Sequence, residues 1–189
     1  QYLMMATRKG LVKKTPIRDY ANVRKIGLAA ISLRDDDELI EVKVTKNKKD
    51  IILVTKDGQC IRFKETDVRA MGRTARGVKA LTLKEDDLVA GMCVLHEGGL
   101  VLTVSETGYG RLSPASDYRT QTRGGKGLIN YHVDKYGDVA SVKAVNLDED
   151  IIMISSDGII IRIEASSIRE CSRPSKGVRV MRVDGVESK

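Results

Sequence analysis

The chain alternates short apolar runs with brief polar turns, and the runs are rich in β-branched residues. Residues 51–55, the turn Lys56-Asp57-Gly58 and residues 59–63 read as strand, tight turn, strand. Residues 151–155, Asp157-Gly158 and 159–163 repeat the pattern. Residues 100–104 ahead of Gly108 give a third copy, and 2–7 ahead of Gly10 a weaker first one. Asp-Gly between β-branched runs predicts a type I′ hairpin, because Gly accepts positive φ without steric cost. Further apolar strands are expected at 28–33, 78–83, 128–133 and 178–183. An acidic turn then precedes a fourth strand at 39–44, 88–95 and 139–145. No segment holds the i, i+3, i+4, i+7 spacing of an amphipathic helix.

These runs recur with a period of about fifty residues. One set of glycines falls at Gly10, Gly58, Gly108 and Gly158, and a second at Gly27, Gly77, Gly127 and Gly177. Four short strands per repeat describe a propeller-type blade, which cannot bury both faces alone and must stack on neighbours. The expected fold is all-β: one domain over residues 1–189, built of about four four-stranded blades. The repeats run approximately over 1–48, 49–97, 98–147 and 148–189. The fourth stops where its last strand should begin, so the array is open or partial.

Charge sharpens this picture only when it is resolved by repeat phase. The formal net charge of +7 decides little. Four windows at corresponding phases, 8–25, 69–79, 111–126 and 169–182, hold 20 basic and 3 acidic residues. The remainder holds 13 basic and 23 acidic residues. Stacked in register, the windows make one basic stripe on a curved edge. Such a stripe suits bent duplex DNA, held through its phosphates with release of counterions. Aromatics are 4% of the chain, with no Trp, too few for base-stacking platforms, and no recognition helix is foreseen. Contact with the backbone, with weak sequence preference, follows.

Other chemistry is thinly supported. Cys60, Cys93 and Cys171 are odd in number and widely spaced, which favours a reducing cytosol over disulfides or zinc. His96 and His132 lack partners at ligand spacing. No cofactor is expected. No apolar run reaches 18 residues, so no membrane partner is expected either. Gln1-Tyr2-Leu3-Met4-Met5 lacks both an initiator Met and a signal-peptide layout, as in a segment of a longer chain.

The loop Gln121-Thr122-Arg123-Gly124-Gly125-Lys126-Gly127 is the sharpest motif. Its glycines are expected to leave backbone N–H groups free to approach a phosphate, and its lysine lacks the following Ser or Thr of a Walker A loop. A flexible connector is the competing reading. The heptapeptide resembles the gyrase A box, Q-R-R-G-G-K-G, of the C-terminal domain of the DNA gyrase A subunit. Tyr118-Arg119-Thr120, residues 65–69 and 71–78, Gly27-Leu28-Ala29 and residues 33–39 are similar to that family too.

The resemblance implies a six-bladed β-pinwheel that wraps double-stranded DNA on its basic perimeter. The wrap supports ATP-dependent negative supercoiling by an A2B2 holoenzyme in the bacterial cytoplasm, associated with the nucleoid. The B subunit is then a partner, as is the remainder of the A subunit. The nucleophilic tyrosine and the ATP site lie outside this chain. Thr122 stands where the family has a second cation, and the loop lies in the third repeat rather than the first blade. The chain is therefore read as the later blades, with a secondary box. Candidate DNA contacts are Gln121, Arg123, Gly124, Gly125, Lys126 and Gly127, with Arg119 ahead of them. Matching cations are Lys13, Lys14, Arg24 and Lys25; Arg69, Arg73, Arg76 and Lys79; and Arg173, Lys176 and Arg179.

Three other readings compete. The A-subunit tail of topoisomerase IV shares the fold class but has a degenerate box or none. A protein-interaction propeller of the kelch or chromatin-regulator type shares the period but predicts no phase-locked basic loops. An enzyme in its own right would need paired carboxylates, a nucleophile with its base, or a metal cluster.

Overall fold

The computed structural model describes residues 1–183. β1 (Tyr2–Thr7) and β2 (Leu11–Pro16) form a hairpin, and β3 (Leu39–Thr45) pairs with the other edge of β1. β4 (Asp50–Thr55) and β5 (Gln59–Lys64) form the second hairpin. The next strand, β6 (Val78–Lys79), leaves its own repeat and pairs with β2, Leu11 opposite Lys79 and Val12 opposite Val78. β7 (Val89–Leu95) returns to β4. The third repeat follows the same plan. β8 (Leu100–Ser105) and β9 (Tyr109–Pro114) form its hairpin, β10 (Leu128–Ile129) crosses to β5, and β11 (Val139–Val145) pairs with β8. β12 (Asp150–Ile154) and β13 (Ile160–Glu164) form the last hairpin, and β14 (Val178–Arg179) crosses to β9.

Three antiparallel sheets of four strands result, β3-β1-β2-β6, β7-β4-β5-β10 and β11-β8-β9-β14, followed by a two-stranded sheet of β12 and β13. The all-β, propeller-like array is thus present, with each of the first three blades finished by the repeat after it. Exchange also explains why the strands expected at 78–83, 128–133 and 178–183 shrink to two residues. Only that length lies against the preceding blade's outer edge. Residues 28–33 form no strand. Part of the third acidic turn becomes a single helical turn, α1 (Val133–Tyr136).

The hairpins differ from expectation. The first three loops have three residues and the last, between Ile154 and Ile160, has five; in each only the glycine has positive φ, from +83° to +88° at Gly10, Gly58, Gly108 and Gly158. A type I′ turn needs two such residues. The observed form is a tight turn closed by a left-handed glycine. A hydroxyl four residues ahead of the second strand fixes it. Thr7, Thr55, Ser105 and Ser155 accept hydrogen bonds from the N–H of Leu11, Gln59, Tyr109 and Ile159 at 3.0–3.2 Å.

The core is aliphatic, as the scarcity of rings requires. Ile51, Leu53, Ile61 and Phe63 of the second blade pack with Met4 and Val12 of the first. Ile52, Val54, Cys60 and Cys93 meet Val101, Tyr118, Tyr131 and Val142 of the third repeat. Residues that lie between sheets are buried, whereas Ile152 and Ile154 in the last sheet are 64% and 67% exposed.

Burial pushes the Cys60 thiol up to about 11 and the Cys93 thiol up to about 12 from an ordinary 9.0, and leaves Cys171 partly accessible. The folded chain keeps these two protons where the unfolded chain has lost them. Their contribution to stability is present below pH 9 and is lost as pH rises through the folded values. With a disulfide-exchange reagent at pH 8, one thiol of three should react in the folded chain and all three in denaturant. Rapid reaction of Cys93 would contradict the packing.

Candidate nucleic-acid interface

The segment between the second hairpin strand and the crossing strand runs over the outer edge of the preceding sheet. It is strapped there at the same phase each time. The N–H groups of Met71, Gln121 and Cys171 donate to the carbonyls of Lys14, Arg62 and Leu112 at 2.7–2.9 Å. Three arginines fifty residues apart reinforce the strap. Arg73 donates to Ala29 O at 2.8 Å, Arg123 to Asp67 O and Lys79 O at 3.3 and 2.5 Å, and Arg173 to Asp117 O and Ile129 O at 2.9 and 2.5 Å. Ala29, Lys79 and Ile129 are themselves fifty residues apart, so this is one clip used three times. The guanidinium forks of Arg123 and Arg173 each span two carbonyls of the preceding repeat, whereas Arg73 reaches one.

The box loop is held by its backbone as well. Gly124 N–H donates to Ala80 O at 2.7 Å, Thr82 Oγ1 donates to Gly124 O at 2.8 Å, and Thr82 N–H donates to Gly125 O at 2.8 Å. The expectation that the glycine amides stand free for a phosphate is corrected at Gly124, whose N–H is already used. Gly127 has φ +78°, and an added Cβ would lie 2.2 Å from Cys60 O. Its role is close approach of two backbones, the same as Gly77 against Val12 O and Gly177 against Gly110 O. Gln121, the first residue of the loop, is half-buried.

Two further candidates leave the interface. Lys13 and Lys14 are buried, at 0% and 3% exposure. Lys13 Nζ donates to Ala30 O at 2.6 Å and to Arg73 O, and Lys14 Nζ donates to Asn47 Oδ1 at 2.6 Å and Glu65 O at 3.2 Å. Burial, helped by the Arg73 charge, lowers Lys13 from 10.5 to about 8. Inward-pointing carbonyls of the strapping loop draw these ammonium groups into the blade.

The remaining cations face outward in rows. Arg69, Arg119 and Arg169 are fifty residues apart and exposed; Arg76 and Lys126 are exposed, with Lys176 half-exposed at the same phase. Lys79 and Arg179 form a third row, and Arg24 and Lys25 occupy the first repeat. None of the ion pairs among the described residues involves these groups. Lys176 and Arg179 stack on the Tyr109 ring, 3.9 and 5.3 Å from its centroid, which leaves them steered but still accessible. Arg169 is not among the sequence candidates, although its spacing from Arg119 marks it.

The acidic turns lie at the other end of the sheets, beside the hairpin loops. Asp37 and Asp87 accept from Lys9 N–H and Asp57 N–H at 2.9 and 3.0 Å, and Arg8 pairs with Glu38 at 2.9 Å. Much of the negative charge is therefore used to tie hairpin loops, while the perimeter keeps its positive charge unpaired.

Comparison with known proteins adds an independent line. The family described as DNA gyrase C-terminal domain, beta-propeller, matches residues 1–46, 49–92, 99–146 and 149–187. The DNA gyrase A subunit of Staphylococcus aureus strain MRSA252 is 39% identical over 185 residues, covering 96% of this chain and 21% of that protein. The chain thus spans about a fifth of the length of the curated relatives it matches. A solved DNA gyrase A C-terminal domain superposes with a TM-score of 0.88 at 28% identity, over 97% of this chain and 62% of the other. The C-terminal domain of DNA topoisomerase IV gives 0.90 at 25% identity, over 96% and 57%.

Proposed function

The chain belongs to the DNA gyrase C-terminal domain, beta-propeller, family, and on that footing we propose that it binds and wraps double-stranded DNA for a type II topoisomerase. The observation that carries the reading is the set of unpaired cations at fifty-residue spacing on successive outer edges, Arg69, Arg119 and Arg169 above all. Each blade turns the next row around the axis, so a duplex that follows the rows must bend. The energy of bending is offset by phosphate contacts and counterion release. The module supplies no catalytic group and needs no cofactor of its own. The B subunit, with the remainder of the A subunit in an A2B2 assembly, carries out cleavage and ATP hydrolysis. The wrap directs that assembly to negative supercoiling in the bacterial cytoplasm, at the nucleoid.

Duplex binding should fall steeply with salt. Six phosphate contacts give a slope of about −5 in log K against log[salt]. Anisotropy of a labelled duplex between about 0.05 and 0.2 M salt measures it. A flat dependence, or no binding at low salt, rejects the reading. The fit to the topoisomerase IV domain favours one alternative, the A-subunit tail of that enzyme. An assembled enzyme that never introduces negative supercoils would select that alternative.

A further inference from the structure

The inner strands β3, β7 and β11 pack against one another near the axis of the array. At the end of the sheets opposite the hairpin loops they enclose a cavity of about 470 Å³. Lys43, Lys46, Lys48, Lys49, His96 and Lys143 line it. Carboxylates do little to balance this charge. Lys43 lies 3.1 Å from Glu41, and Lys49 Nζ lies 2.5 Å from His96 Nδ1, while Lys46, Lys48 and Lys143 belong to none of the ion pairs among the described residues.

The fold does not call for these lysines. The turn that carries Lys46, Lys48 and Lys49 is rebuilt fifty residues on as His96-Glu97-Gly98-Gly99, and again as Asn146-Leu147-Asp148-Glu149. Lys43 and Lys143 flank Cys93, which occupies their position in the second blade and is buried without a charge. Repulsion among converging ammonium groups is tolerated here in one copy of a turn that two other copies build without it.

We propose that this axial cavity binds a small oligophosphate, independently of the duplex held on the perimeter. Its volume lies in the range of small-molecule sites, about 300–1,000 Å³. That is too small for a duplex. Compact, rotatable ammonium groups suit the several oxygens of a phosphate chain. The site is also remote from the perimeter. An inner strand and an outer strand of one sheet are separated by two others, about 14 Å at the usual strand spacing.

Calorimetric titration of the 189-residue chain with sodium tripolyphosphate, at about 0.15 M salt to screen loose surface pairing, tests this. One saturable site is expected. Lys46→Gln with Lys143→Gln should weaken it at least tenfold without moving the melting temperature, since both side chains are exposed. Arg119→Gln with Lys126→Gln on the perimeter should leave it unchanged. Adenosine triphosphate binding as tightly as tripolyphosphate supports recognition of the chain of phosphates, and tighter binding supports added contact of the nucleoside with the apolar wall. The proposal is overturned by the absence of a saturable site, by equal loss in the perimeter variant, or by hexaglutamate binding tighter than tripolyphosphate through the same lysines.

Discussion

Gly127→Ala is expected to lower the melting temperature by about 10 °C, through a clash in the joint between two blades. A left-handed backbone costs a non-glycine residue about 1–2 kcal/mol. In addition, the new Cβ would sit 2.2 Å from Cys60 O, a contact that only a backbone shift relieves. That shift would pull β10 from β5. Together the two effects come to roughly 3 kcal/mol or more, and about 1 kcal/mol moves the midpoint of a domain this size by about 2–4 °C. Gly27→Ala is the matched control. Its φ is +82°, yet nothing lies within 4 Å of the added carbon, so only the conformational cost applies. Thermal melts of the two variants separate close approach from backbone strain. Equal losses would mean that the box glycine is kept for its φ alone.

Removing perimeter charge should act on binding and spare the fold. The variant Arg69→Gln, Arg119→Gln, Lys126→Gln deletes three exposed cations that make no ion pair among the described residues. Each phosphate contact contributes about 0.9 to the salt slope, so the slope should become shallower by about 2.7. Affinity at about 0.1 M salt should drop by about 500-fold, roughly eightfold per contact. The melting temperature should hold. Arg123→Gln is expected to invert this pattern, because the carbonyls of Asp67 and Lys79 lose their donor. It should lower the melting temperature by several degrees, and its binding loss should follow the loss of folded chain. If Arg123→Gln instead keeps full stability and loses DNA, the guanidinium leaves its clip to reach a phosphate.

The hairpins, the period and the perimeter rows are all legible in the sequence, because each is a local or periodic property. β-branched runs, a glycine with positive φ and a cation at fixed phase write themselves into every copy. Partnership between repeats is not local. Val78 and Lys79 look like the start of a long strand, yet their extent is set by the edge of β2, nearly seventy residues earlier. The side on which a cation falls is similarly set by a neighbour. Lys13 shares its phase with Ile61, Arg111 and Ile161, and Arg111 is fully buried, donating to Asn130 Oδ1 at 2.7 Å and Ser175 O at 3.0 Å. Exchange of a cation for isoleucine at one phase is the available sign that this position points inward. For Arg123, only the carbonyls it meets distinguish a clip from a contact.

The crossing strands also set a clock for synthesis. Val12 cannot meet Val78, nor Cys60 meet Leu128, nor Gly110 meet Val178, until the following repeat has left the ribosome. At about 5–20 residues per second, each outer edge waits roughly 3–13 s with its backbone groups unpaired. During that interval the nascent chain offers a strand template to any neighbouring copy on the same message. That template is the outer edge of β2, β5 or β9, a strand of six residues in each blade.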